Sequence, residues 1–155
     1  MICNKCFPFD VLFKLLRDND TAFSVSLSDV LLKQGKTVEE YAMKLSELAT
    51  VAYEKDENGT IKGIVVGYTD ALPEDKGSYI AQVLTVPEFQ KQGVCGRLLL
   101  EYCNYCSHKD ISYVWLTTGA ANYAAQAAYE RVGFRKAPNS DTSLVLYKKY
   151  LQASI

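Results

Sequence analysis

The sequence predicts an α+β domain, with helices flanking one mixed central sheet in three layers, and three observations carry that prediction. Strand-period and helix-period segments follow one another along 155 residues without repeats, low-complexity stretches or a linker. Asn58-Gly59 lies between two strand-like runs and marks a β-hairpin, which makes part of the sheet antiparallel. The strand-like run 79–86 leads through a glycine turn and a helix to the apolar run 111–117. That connection is long enough for a right-handed crossover, so another part of the sheet is parallel. A chain of this length is expected to form one domain, residues 1–155, that buries roughly 68–70% of its unfolded surface in one core.

The composition narrows the function classes. A hydrophobic share of 48% and a charged share of 23% are those of an ordinary globular chain. A net charge of −1 gives no electrostatic case for nucleic acid or an anionic membrane as partner. No apolar run approaches the ~18 residues needed to span a bilayer, and the first residues lack the apolar stretch of a signal peptide. A cytosolic protein is expected. Five cysteines then read as free thiols in a reducing compartment. Two pairs, Cys3/Cys6 and Cys103/Cys106, have the C-x-x-C spacing of a four-thiolate zinc site. The first pair falls in what reads as a loose terminus and the second mid-helix without a tight turn, so small buried hydrophobes and no metal are expected.

In chain order, Asp10 is placed to cap a short helix over 11–17, where Val11, Leu12, Leu15 and Leu16 share a face. Residues 19–34 show no clear pattern. Thr37-Val38-Glu39-Glu40 is a capping box that opens a helix to about Leu48, with Val38, Tyr41, Ala42, Leu45 and Leu48 on its apolar face. Val51-Ala52-Tyr53 begins the hairpin and residues 61–68 return. Gly63 and Gly67 in the return strand signal a bulge or a close backbone approach. Residues 72–77 form a loop, and the strand up to Val86 follows.

Pro87 ends that strand. The turn Gln90-Lys91-Gln92-Gly93-Val94-Cys95-Gly96-Arg97 then enters a helix over 98–107. A strand, a glycine turn and a helix aim several backbone N–H groups at one point, at the positive end of the helix dipole. Such a turn holds a phosphate or pyrophosphate. Along the helix, Arg97, Glu101, Asn104 and His108 form a polar stripe, while Val94, Leu98, Leu99, Tyr102, Cys103 and Cys106 must be buried. The single histidine therefore faces solvent. The run 111–117 reads as a central strand covered on both faces. A helix over 122–132 stops at Gly133, and a last strand over 143–150 closes the chain.

Two segments together resemble a known family. Gln90-Lys91-Gln92-Gly93-Val94-Cys95 is similar to the Q/R-x-x-G-x-G/A pyrophosphate loop of the GNAT superfamily of acyl-CoA-dependent N-acyltransferases. The segment from Asn122 through Ala125 and Tyr129 to Gly133-Phe134 resembles the same family's N-x-x-A-x-x-x-Y-x-x-x-G-F stretch, at the right distance downstream with a strand between. Leu84-Thr85-Val86-Pro87 reads like the family's fourth strand and its exit. The resemblance is specific over 79–134 and architectural before that.

The resemblance implies a single-domain GNAT-like fold and an acetyltransferase that uses acetyl-CoA as co-substrate, without metal. Leu84, Thr85 and Val86 would line the pantetheine and acyl carbonyl. Amides of Lys91, Gln92, Gly93, Val94, Cys95, Gly96 and Arg97 would hold the pyrophosphate. Asn122 and Ala125 would flank the cofactor arm, and Tyr129 would protonate the departing thiolate after direct attack by the amine. The acceptor would be a primary amine of a small molecule or sugar, with a protein or peptide amine as the alternative. A homodimer is compatible with this reading. The N-terminal half would shape the acceptor site, where Ser26, Leu27, Ser28, Glu39, Glu40, Tyr41 and Lys44 are candidates.

The sequence departs from the family pattern twice. Cys95 stands where Gly or Ala is usual. Cys is small enough to fit there, while a helix N-terminus lowers thiol pKa values, which would make it reactive. Gln82 stands where many relatives carry a basic Glu on the fourth strand, and an amide cannot take the amine's proton. Either Glu74 or Asp75 acts through water, or the amine arrives deprotonated. These departures also motivate a CoA-binding module without turnover, and the cysteine pairs a zinc-dependent interaction domain.

Overall fold

The computed structural model describes residues 1–20, 26–70, 76–138 and 143–152. Its elements run β1 (Ile2–Asn4), α1 (Phe9–Asp18), α2 (Leu27–Lys33), α3 (Val38–Leu48), β2 (Thr50–Lys55), β3 (Ile61–Tyr68) and β4 (Gly77–Thr85). A 3₁₀ turn (Pro87–Phe89), α4 (Val94–Ser107), β5 (Tyr113–Gly119), α5 (Tyr123–Arg131), β6 (Arg135–Lys136) and β7 (Leu144–Tyr150) follow. The strands form one seven-stranded mixed sheet in the order β1-β2-β3-β4-β5-β7-β6. Among the described residues only the β4–β5 pair is parallel, and α4 makes its crossover.

The period of two along the central strands sorts side chains into two cores. Val51, Ile64, Val66 and Leu84 pack with Leu12, Leu16, Leu31, Ala42 and Leu45 of α1–α3. Ala52, Val65, Ile80, Val114 and Tyr147 pack on the opposite face with Leu98, Leu99 and Tyr102 of α4 and Tyr129 of α5. The result is the three-layer α+β fold expected, although with a core on each face of the sheet rather than one. Among the described residues no helix is long and apolar enough to cross a membrane.

Several local expectations need correction. The N-terminus is not loose: β1 pairs with β2 in the register Ile2↔Ala52 to Asn4↔Thr50. Cys3 and Cys6 are joined in a disulfide, so only Cys95, Cys103 and Cys106 are free thiols. Helix α1 begins two residues earlier than expected and its N-cap is Pro8, leaving Asp10 in the first turn, where its charge suits the helix dipole. The unpatterned stretch contains α2, whose N-cap Ser26 and neighbour Ser28 both donate hydroxyls to Asp20 Oδ2, at 2.6 and 2.8 Å. Leu48 is exposed, at the C-terminal end of α3. The strand β5 is covered on one face only: Val114, Leu116 and Thr118 are buried, whereas Thr117 is exposed and Trp115 half-buried. The two-residue β6, which pairs with β7, was not anticipated.

Thr37 caps α3 as expected, its Oγ1 accepting from the Glu40 amide at 3.1 Å, while the Glu40 carboxylate accepts the Thr37 hydroxyl at 3.1 Å. Gly67 is a close approach. A Cβ there would lie 2.1 Å from the Tyr102 hydroxyl and 2.7 Å from the Tyr79 carbonyl oxygen. Opposite it the register jumps from Val66↔Gln82 to Gly67↔Ile80, so Ala81 is an extra residue, a β-bulge in β4.

Candidate active site

The bulge decides where β4 points its side chains. In a regular strand Ile80, Gln82 and Leu84 would share a face. Here Ile80 belongs to the α4 core and Leu84 to the α1–α3 core, and Gln82 reaches the α3 side. The β4–β5 ladder covers only Gly77↔Tyr113 to Tyr79↔Trp115. Beyond it the two strands diverge, and a cleft of about 710 Å³ opens between them. Its walls are β4 from Ile80 to Thr85, the end of β5, the start of α4 and one face of α5.

At one end of the cleft lies the glycine turn. Lys91 at φ +63° and Gly93 at φ +78° are both left-handed, which curls the chain so that successive N–H groups turn inward. Gly93 is the N-cap of α4 and no side chain caps that helix. The amides of its first turn have no intrahelical partner and form the positive pole of the helix dipole. Helix α4 starts four residues earlier than expected, so Val94, Cys95 and Gly96 belong to the helix. The Arg97 amide is correspondingly occupied, donating to the Gly93 carbonyl at 3.1 Å. Arg97 acts instead through its guanidinium. Nε and Nη2 bind both oxygens of Glu54 on β2 at 2.9 and 2.8 Å, and Nη1 donates to the Gln92 carbonyl at 2.8 Å. The turn is thereby tied to the far half of the sheet.

Of the residues expected at the cofactor site, Leu84, Thr85, Lys91, Gly93, Val94, Cys95, Gly96, Asn122, Ala125 and Tyr129 line the cleft. Val86, Gln92 and Arg97 do not. The Val86 amide already donates to Lys62 across the strand at 2.9 Å. Asn122 is the N-cap of α5, its Oδ1 accepting from the Ala125 amide at 3.2 Å. Sequence reasoning missed Gln126, which is buried and donates to the Gly119 and Ala120 carbonyls at 3.1 and 3.0 Å, pinning the β5–α5 turn. Lying amid alanines at no distinctive spacing, it left no signal. Thr117 and Thr118, also in the cleft wall, stay paired with β7 on a strand whose parting from β4 only the structure reveals.

Tyr129 packs its ring against Tyr147 and Phe134, with centroids at 5.9 and 6.3 Å, and faces the cleft. Its hydroxyl has no hydrogen-bond partner among the described residues. Burial, with a smaller contribution from Cys95 beside it, holds its pKa well above that of a free phenol. The Cys95 thiol is itself pushed up by burial. Burial thus acts against the lowering expected at a helix N-terminus, and Cys95 lines the cleft wall. Cys103 and Cys106 lie in the α4 core with pKa values pushed up by burial to about 11 and about 12. The two C-x-x-C pairs are not brought together as a thiolate set, since one is a disulfide and the other is buried. His108 caps the exposed end of α4, its Nδ1 2.8 Å from the Asn104 carbonyl.

On the α3 side of the bulge is a second hollow of about 490 Å³. Of the residues considered for the acceptor wall, Leu27, Glu40, Tyr41 and Lys44 line this hollow, joined by Tyr68 and Tyr79, while Ser26, Ser28 and Glu39 do not. Gln82 lines both hollows and donates Nε2 to the Tyr41 hydroxyl at 2.9 Å. Burial pushes the Tyr41 pKa up to about 12, against a smaller lowering by that hydrogen bond. Glu74 and Asp75, the other carboxylates considered for the amine's proton, lie outside the described residues.

Comparison with known proteins follows the same outline. Among curated proteins, none matches the sequence. The structure resembles a GNAT-family acetyltransferase from Staphylococcus aureus Mu50, with a TM-score of 0.71 and 15% identity over 98% of this chain and 99% of that one. It resembles the ribosomal-protein-S18-alanine N-acetyltransferase of Escherichia coli at a TM-score of 0.68 and 17% identity, over 99% and 95% of the two chains. A Bacillus anthracis protein described as a streptothricin acetyltransferase, solved with acetyl coenzyme A, aligns at a TM-score of 0.59 and 18% identity, over 68% and 64%. These likenesses establish a shared fold. The Acetyltransferase (GNAT) family model matches residues 12–134, a span from α1 through α5 that contains the bulged strand, the glycine turn and Tyr129, and the chain belongs to that family.

Proposed function

We propose that this acetyltransferase transfers the acetyl group of acetyl-CoA to a primary amine of a small molecule, with the parted strands β4 and β5 receiving the cofactor arm. The carrying observation is the cleft itself. It runs from an uncapped helix N-terminus, suited to a pyrophosphate, to a wall that bears an unpartnered Tyr129 hydroxyl. The amides of Val94, Cys95 and Gly96 hold the anion, and no basic side chain is needed. Past Tyr79 the β5-facing edge of β4 has lost its ladder partner, so backbone groups there are open to the pantetheine and acyl carbonyl.

The chemistry balances with groups on hand. The amine nitrogen's lone pair forms the N–C bond to the thioester carbonyl, and the C–S bond breaks. The sulfur leaves with the electron pair and takes a proton from the Tyr129 hydroxyl. The new amide nitrogen releases one proton to solvent, which restores the phenol. Turnover of acetyl-CoA by a panel of amines, followed as thiol release and confirmed by mass of the acetylated product, tests the reading. Gly93→Glu supplies a control. It sets a side chain and a like charge against the pyrophosphate and forces a residue other than glycine to φ +78°. Calorimetric affinity for acetyl-CoA is expected to fall at least about tenfold. Equal affinities would make the turn a mere connection.

A further inference from the structure

The hollow beside Gln82 combines three tyrosine rings with three charged side chains, Lys36, Glu40 and Lys44. Tyr41 comes from α3, while Tyr68 and Tyr79 are cross-strand partners on β3 and β4. Tyr79 in turn contacts Trp115 with ring centroids 4.4 Å apart. Leu27, Val30 and Leu31 of α2 close the opposite side. The only carboxylate lining it among the described residues is Glu40, which already accepts the Thr37 hydroxyl at 3.1 Å. Lys36 and Lys44 flank it, so the described lining is net positive. A volume of about 490 Å³ lies within the range of small-molecule pockets.

We propose that this hollow is the acceptor subsite and selects a weakly basic monoamine carried on a flat aromatic body, with Gln82 receiving the amine's N–H. The proposal rests on the acetyltransferase reading above. Aromatic walls offer a flat ring stacked or edge-on contacts beyond plain area burial. A net-positive lining disfavours a polycation such as an aminoglycoside, since Lys36 and Lys44 outnumber Glu40, the one lining carboxylate among the described residues. Gln82 lines both hollows and its Nε2 already donates to Tyr41, so its Oε1 is the atom left to meet an acceptor amine. That oxygen can accept a hydrogen bond from a neutral amine and orient its lone pair, but it cannot remove a proton. An amine that is already neutral at the working pH is therefore favoured, which means a low pKa rather than the ~10.4 of a lysine side chain.

The test compares 4-methoxyaniline, phenethylamine, methylamine, kanamycin and a lysine peptide, both as substrates with acetyl-CoA and as ligands by calorimetry. 4-Methoxyaniline, aromatic and weakly basic, is expected to exceed kanamycin and the peptide in kcat/KM by at least about tenfold, with phenethylamine, aromatic but of lysine-like basicity, between them. In Tyr68→Leu, which keeps apolar bulk but removes the ring, the ratio of kcat/KM for phenethylamine to that for methylamine is expected to fall about fivefold. A preference for kanamycin or the peptide, or an unchanged ratio in Tyr68→Leu, overturns the subsite. Calorimetry separates the two claims. Aromatic amines that bind wild type more tightly than Tyr68→Leu, in a protein that turns over no amine, support the hollow and sink the catalytic reading. Turnover without aromatic preference does the reverse.

Discussion

Arg97 and Glu54 meet in a two-point ion pair across 43 residues, Nε and Nη2 each bonding one carboxylate oxygen. The same guanidinium holds the Gln92 carbonyl, so one side chain joins β2 to the turn that opens α4. The pair is partly exposed, and an exposed pair contributes little to global stability. Its effect should fall on the shape of the turn. Glu54→Ala is expected to weaken acetyl-CoA binding by about two- to fivefold while lowering the unfolding midpoint by only a small, measurable amount. An unaltered affinity by calorimetry would show that the turn holds its shape without the clamp.

The same pair sets a pH dependence. The Arg97 hydrogen bond first, with Lys62 as a lesser neighbour, holds the Glu54 carboxyl below its usual range. A depressed acid favours folding above its unfolded pKa, and that contribution is lost as pH falls through the folded value. Wild type should therefore lose its advantage over Glu54→Gln below about pH 4.5, the ordinary glutamate range. Urea unfolding of both proteins between pH 3 and 7 would show it, and parallel curves would argue that the pair is not formed in solution.

Gly67 faces the most crowded point of β3. The Tyr102 hydroxyl that a Cβ would strike is hydrogen-bonded to the Ser78 hydroxyl at 2.7 Å, and Ser78 donates to the Tyr68 carbonyl at 2.7 Å. Gly67→Ala must displace a fully buried tyrosine from that chain of bonds. Overpacking of this kind costs about 1–3 kcal/mol. For a chain of this size that lowers Tm by roughly 2–4 °C per kcal/mol. A variant that melts with wild type would mean that the Tyr102 ring has room to shift.

Why some of this was readable and some not follows from the range of the interactions. The hairpin, the α3 cap and α5 rest on residues within a few positions of one another, such as Thr37 with Glu40 and Asn122 with Ala125, and these are legible in sequence. The glycine turn likewise announces itself locally. By contrast β1 is three residues whose strand form depends on pairing with β2, and α2 is organised by Asp20 from outside its own span. The bulge did leave a trace. Ile80, Val83 and Leu84 break the period of two, but without the partner strand the break does not say which residue is extra. The one-sided burial of β5 was hidden because Tyr113 and Trp115 are apolar yet lie on the open face, against Tyr150 and Tyr79. The Arg97–Glu54 clamp and the tyrosine hollow join distant segments and carry no local signature.

Gln82→Glu tests the missing base directly. Placed at the bulge, the new carboxylate lies where the Tyr41 hydroxyl can donate to it, and it could take the amine's proton. For an amine of pKa near 10, wild type should gain kcat/KM about tenfold per pH unit between pH 7 and 9, because only the neutral amine reacts. The variant should be flatter and faster at pH 7, by about tenfold or more. If the two profiles coincide, the proton leaves by another group and the Gln82 position is not on its path.

The last prediction concerns Tyr129. Its ring is held between Tyr147 and Phe134, while its hydroxyl faces the cleft without a hydrogen-bond partner among the described residues. Burial raises its pKa above the ordinary phenol value of ~10, which keeps the proton in place at every working pH. Such a group is a poor base but a ready donor to an alkyl thiolate as the C–S bond breaks. Tyr129→Phe preserves the ring contacts, so Tm and acetyl-CoA affinity should change little. Positioned acid catalysis is worth about 10²–10⁴ in rate, and kcat should fall at least about tenfold where chemistry limits turnover. Single-turnover measurement isolates that step from product release. The loss should shrink with an acyl donor whose leaving thiol is more acidic, since a better leaving group needs less help from a proton. A chemical rate in the Phe variant equal to that of wild type would leave the phenol with a packing role alone.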